Sequence, residues 1–172
     1  MNYFELFELA PALVLEPAEL ATRYRTLQQR YHPDRFAAAP DAERLQALQQ
    51  AAEINAAYQV LKDSLARAEY LLAVRGHDIR GEQQTLQDPE FLMQQLAWRE
   101  DLEALREQTD AAAVLPVMEQ RVRSEYRSLE RELAEAYAAD QLPRCADLVR
   151  KLKFVRKLQQ ELERLEDSLM DL

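Results

Sequence analysis

Histidine, proline and aspartate stand consecutively at His32-Pro33-Asp34, between Tyr31 and Arg35. An imidazole that can donate, a ring that fixes φ and a carboxylate that can accept from an arginine fork make a compact probe for another protein's polar groups. They make a poor active site. Nucleophilic catalysis needs a nucleophile, a base and an orienting group, and the chain offers one further histidine, His77, and one cysteine, Cys145. No Cys-x-x-Cys or His-x-x-x-His spacing supplies metal ligands, so neither metal nor cofactor is expected and the chain reads as a non-enzyme. Glu161 and Glu163, two apart on a helix, point to different faces and read as solvation. Taken alone, a His-Pro step is equally a plain turn.

The elements around the tripeptide decide its use. Proline pushes its predecessor out of the helical region, so the helix carrying Leu20, Tyr24, Leu27 and Tyr31 on one face should stop at His32. Glu16-Pro17 opens that helix. Arg23, Thr26 and Arg30 share another face with Arg25 nearby, a basic cluster that is either solvated or a contact. After the loop, Asp41 reads as an N-cap, and Leu48, Ala51, Ile54, Tyr58, Leu61 and Leu65 continue an apolar stripe to about Lys62 and beyond. The two helices then lie antiparallel with His32-Pro33-Asp34 at the tip.

A first helix is expected over Asn2 to Ala10, its Tyr3, Phe4, Leu6 and Phe7 covering the base of the pair. Asp63 or Ser64 caps a short helix ending near Val74. Arg75 to Gln87 loses apolar periodicity and reads as a connector, with His77 an exposed residue in it. Asp88-Pro89 restarts helix as cap and first residue, with Phe91, Leu92, Leu96, Leu102 and Leu105 apolar. The helical composition from Ala111 to Asp140 contains Pro116, where the helix either begins or kinks; a start near Pro116 is the preferred reading. Pro143 opens the last helix, whose Leu148, Leu152, Val155, Leu158, Leu162, Leu165 and Leu169 form a seam.

The expected fold is therefore all-α: residues 1–75 as one domain, 76–87 as linker, and 88–172 as a three-helix bundle. Two glycines among 172 residues and 48% hydrophobic content agree with helix throughout and a real core. The net charge is −9, and the part after Arg75 holds 14 basic against 21 acidic residues. That field disfavours nucleic-acid phosphate. No apolar run approaches the roughly 20 residues that span a bilayer, and no basic-then-apolar leader opens the chain, so a cytoplasmic location is expected. Cys145, with no partner in the chain, is expected to be a reduced thiol on a helix.

The tripeptide between striped helices, with Ile54-Asn55-Ala56-Ala57-Tyr58-Gln59-Val60-Leu61-Lys62-Asp63 on the second, resembles a J-domain. The opening Tyr3-Phe4-Glu5-Leu6-Phe7, the run Arg67-Ala68-Glu69-Tyr70-Leu71-Leu72, Phe91-Leu92-Met93 and Val149-Arg150-Lys151-Leu152-Lys153-Phe154 resemble the bacterial HscB family of iron–sulfur co-chaperones. The resemblance covers essentially the whole chain. It implies that His32, Pro33, Asp34, Arg23, Arg30 and Arg35 engage a DnaK-type chaperone, HscA, and stimulate its ATP hydrolysis. It also implies that Leu92, Met93, Leu96, Glu100 and Phe154 bind the cluster scaffold IscU. Ala97 stands where relatives can carry glutamate, which thins the acidic rim.

Spacing supports part of that patch: Leu92, Leu96 and Glu100 are i, i+4 and i+8, apart from the inward stripe of Phe91 and Leu102, so Leu92 and Met93 are surplus to one core face. Ordinary core is the alternative for both. Two other functions stay open. A helical adaptor would have to dimerise through its last helix. A general J-protein for unfolded clients would use glycine-rich or zinc-bearing elements, which this chain lacks.

Overall fold

A computed structural model describes residues 1–81 and 88–171. Among them every regular element is helical, as the composition requires: α1 (Tyr3–Leu6), α2 (Pro17–Arg30), α3 (Asp41–Lys62), α4 (Ser64–Val74), α5 (Pro89–Glu107), α6 (Ala111–Ala138) and α7 (Leu142–Met170), with a 3-10 turn at Pro33–Phe36. The chain divides into two compact units, Met1–Arg80 and Gly81–Leu172. The first reaches past the expected boundary at Arg75, because Ile79 is buried and the Arg80 guanidinium lies 5.8 Å from the Tyr70 ring centre. Of the expected connector, residues 82–87 lie outside the described residues.

In the first unit, α2 opens on Pro17 and buries Leu20 and Leu27 against α3. The buried stripe of α3 is Ala47, Ile54, Ala57 and Leu61. Leu48, expected inside, is 53% exposed. Successive helix residues stand about 100° apart, so the face that buries Ala47 turns Leu48 outward. Tyr24 stacks on Tyr58 with ring centres 3.9 Å apart, and its hydroxyl donates to Asn55 Oδ1 at 2.6 Å, which fixes the register of the hairpin.

Helix α1 is shorter than the expected Asn2 to Ala10. Asn2 caps it, accepting from the Glu5 N–H while Glu5 reaches back to the Asn2 N–H. Glu8 then turns left-handed at φ 55°, and the Leu9 N–H closes on the Phe4 carbonyl at 2.9 Å. Helix α4 ends the same way through Gly76 at φ 89°, whose neighbour His77 donates its N–H to the Leu72 carbonyl. Asp63 is the α4 cap, accepting from the Ala66 N–H. Asp41 proves to be the first helical residue of α3 rather than its cap, the role falling to Pro40, which offers no side-chain hydrogen bond.

One charge is buried in this unit. Arg67, 7% exposed, donates Nε–H to the Leu13 carbonyl at 2.7 Å and a terminal N–H to the Leu61 carbonyl at 2.6 Å. It thereby closes the end of α3 and pins the strap before α2, satisfying carbonyls that the helix terminus leaves unpaired. Burial lowers its pKa from the usual arginine value, with Asp63 opposing.

The second unit is a three-helix bundle. Asp88 meets Lys151, Trp98 meets Phe154 and Arg99 meets Glu161, so α5 and α7 run parallel. Helix α6 runs against both, joined to α7 by a tight turn with Asp140 at φ 57°. Leu102, Val122, Leu152, Val155 and Leu158 form its interior. Cys145 is fully buried on α7. Helix α6 begins at Ala111, not near Pro116 as expected. The missing N–H of Pro116 would have bonded to the Ala112 carbonyl, so only one bond near the end is lost, and Leu115 and Met118 are buried on either side.

Glu119 on α6 faces Glu166 and Glu163 on α7, beside Arg123. Burial first, and the Glu166 carboxylate second, raise its pKa from the ordinary value. A raised carboxyl contributes stability below the unfolded-state pKa and loses it as pH rises through the folded value. Glu119→Gln should therefore raise the melting temperature at pH 7, by about 2 °C, and the gain should close near pH 4. A lower melting temperature at pH 7 in paired calorimetric scans would refute this.

Candidate functional site

The helix-breaking step works as expected: α2 ends at Arg30 and Tyr31 is its C-cap. His32 is extended at ψ 135°, and Pro33 starts the 3-10 turn in which the Arg35 N–H bonds the His32 carbonyl at 3.0 Å. This turn, absent from the sequence reading, packs on α3 and orients the tripeptide. The Asp34 N–H donates to His32 Nδ1 at 3.2 Å. With Nδ1 occupied as an acceptor, a neutral imidazole carries its proton on Nε2. The Asp34 carboxylate is 92% exposed and 3.7 Å from His32 Nδ1. The tip thus presents an N–H donor and an unburied carboxylate on a rigid turn, a pair suited to a partner's acceptor and its arginine or backbone donors.

The cations sort into two groups. Arg23 is committed within the fold: it donates to the Phe7 carbonyl at 3.1 Å and to Glu19 at 3.0 Å, and lies 3.8 Å from Glu8. It ties α2 to the end of α1. Arg30 and Arg35 are exposed beside the loop. Arg25, which the sequence reading placed only nearby, is also exposed and donates to Thr22 Oγ1.

On the bundle, Leu92, Met93 and Leu96 are 37%, 68% and 55% exposed, and Glu100 and Ala97 are exposed with them. Phe91 and Trp98 supply the buried face of α5. The outward leucines therefore form an apolar surface rather than core. Phe154 differs from them. It is half-buried, stacked on Trp98 at 6.2 Å, edge-on to Phe91 at 5.8 Å, with Arg99 5.3 Å from its centre. One side of its ring holds α7 to α5. Asp88 caps α5, accepting from the Phe91 N–H, and takes a 2.7 Å bond from Lys151; that bond, followed by the one from Phe91, holds its carboxyl below the ordinary value. Glu161, read from the sequence as solvation, pairs with Arg99 instead. Its spacing from Glu163 showed only that the two point apart, not that one faces α5.

No helix among the described residues is long and apolar enough to cross a membrane, and no cluster of three metal-ligating side chains occurs among them.

Residues 2–70 match the DnaJ domain, and residues 87–163 match the HSCB C-terminal oligomerisation domain. The chain is 54% identical to the co-chaperone protein HscB homolog of Aeromonas hydrophila over 99% of both chains. It is 50% identical to the Vibrio vulnificus homolog over 98% of this chain and 99% of that one. Chaperone HscB from Vibrio cholerae superposes with a TM-score of 0.86 at 45% identity, covering 98% of this chain and 99% of the other. The human co-chaperone HscB, at 22% identity, shares the fold with a TM-score of 0.87 over 96% of this chain and 82% of its own. Both halves of the chain, and the order in which they occur, thus match one family: the chain belongs to the HscB family of J-domain co-chaperones.

Proposed function

We propose that this protein stimulates ATP hydrolysis by a DnaK-type chaperone of the HscA kind and delivers the iron–sulfur scaffold IscU to it in the cytoplasm. The observation that carries the reading is the separation of two exposed surfaces onto two compact units, the His32-Pro33-Asp34 tip on one and the Leu92, Met93, Leu96 patch on the other. His32, Pro33, Asp34, Arg30 and Arg35 contact the chaperone. Arg23 supports them by fixing α2 to α1. Leu92, Met93, Leu96 and Glu100 contact the scaffold, with Phe154 as the floor of that surface.

Joining the two surfaces in one chain converts the second encounter into an intramolecular one, at an effective concentration on the order of millimolar. Residues 1–80 and 81–172, prepared separately and mixed at micromolar concentration, should lose the synergy between scaffold and intact chain in chaperone ATPase assays, by about threefold or more. Equal synergy from the mixture would reject delivery by linkage.

A further inference from the structure

The first half of α7 opposes the charge of the rest of the chain. Between Arg144 and Lys157 stand six cations, Arg144, Arg150, Lys151, Lys153, Arg156 and Lys157, against one acid, Asp147, in a protein of net charge −9. Lys151 turns to Asp88, and Arg156 to the Tyr126 hydroxyl at 3.1 Å. Arg150, Lys153 and Lys157 follow i, i+3 and i+7, so they share the outer face of α7. Phe154 sits in the same interval, four residues after Arg150 and three before Lys157, and its ring meets α5 at Phe91 and Trp98. Lys153 and Lys157 are exposed, while Arg150 is half-buried and bonds to Asp147 at 2.6 Å.

A core seam needs Leu152, Val155 and Leu158, and exposed lysines three or four apart on one face repel one another. Cations beside an apolar surface do little for affinity by burial, but they steer a partner of opposite charge and fix its orientation.

We propose that Lys153 and Lys157, with Arg150, form a cationic strip that steers an acidic surface of the scaffold protein onto the apolar patch and sets its orientation. This rests on the reading of the bundle as the scaffold-binding unit. The partner's recognised feature is a cluster of carboxylates bordering an apolar surface. Glu100 on α5 and the cations on α7 then give the patch rims of opposite sign, so a partner with a matching pair of rims docks in one orientation.

The test is the rate at which full-length protein associates with purified IscU, by stopped-flow or surface plasmon measurement at about 50 and 300 mM salt. The double variant Lys153→Glu/Lys157→Glu should associate at least fivefold more slowly at low salt, with its dissociation rate changed less than twofold. The wild-type rate should fall as salt rises, and the variant's should not. Lys153→Gln/Lys157→Gln should fall between them, and it decides the matter if charge reversal disturbs the fold. An unchanged low-salt association rate in both variants overturns the inference alone. Failure of the unaltered chain to bind IscU overturns the scaffold-binding reading itself, and the strip with it.

Discussion

His32→Gln should abolish stimulation of the partner chaperone, lowering it at least tenfold, while leaving the helical circular dichroism unchanged and the melting temperature within about 2 °C. The imidazole supports no core: its side chain is 57% exposed, and it accepts the Asp34 N–H, a bond that water can replace at so open a site. What the substitution removes is a rigid Nε2–H donor whose direction is set by the acceptor role of Nδ1. Glutamine retains a donor, but on a longer chain with an extra rotatable bond, so the donor is no longer aimed by the turn. Binding of the scaffold should be unaffected, since the loop and the apolar patch lie in different units. Stimulation within twofold of wild type would remove His32 from the chaperone contact.

How much of this was legible follows from which residues act locally. Pro33 ends α2, Pro17 and Pro89 open helices, and Asp63 and Asp88 cap them, because each acts within a few residues and its neighbours need not be known. The outward position of Leu92 and Met93 was legible only in part: Phe91 and Leu102 already occupy the one inward face of the helix, but ordinary core stayed open for both until burial was known.

Features set by another element were not legible. Leu48 and Ala47 are adjacent, and only the segment that approaches α3 decides which of them is buried. The roles of Arg23 and Glu161 depend on the Phe7 carbonyl, 16 residues away, and on Arg99, 62 residues away. Spacing along one helix could assign both to a face but not to a partner. Pro116 misled in the opposite way: its steric rule is local, but α6 gains buried contacts from Ala111 and Leu115 that outweigh one missing hydrogen bond. The 3-10 turn at Pro33–Phe36 is held by its packing on α3, which no local residue announces.

The apolar patch is where burial separates two kinds of residue that the sequence treated alike. Leu92→Ala/Met93→Ala/Leu96→Ala should weaken scaffold binding at least tenfold and leave the melting temperature within about 2 °C. All three side chains already face solvent, so truncation opens no cavity in the bundle. At about 25 cal/mol per Å², losing roughly 100 Å² of contact is about 2.5 kcal/mol, and a tenfold loss needs only about 1.4. The margin matters because area converts to affinity incompletely when association entropy and side-chain ordering are counted. Phe154→Ala behaves differently. Its ring is stacked on Trp98, edge-on to Phe91 and covered by Arg99, so removing it takes about 3 kcal/mol from the bundle and lowers its melting temperature by several degrees. Calorimetric titration with IscU, paired with thermal melting, distinguishes the two. Weak binding with an unchanged melt in the triple variant supports a surface patch. A collapsed melt in that variant, or full affinity with an intact fold, rejects it.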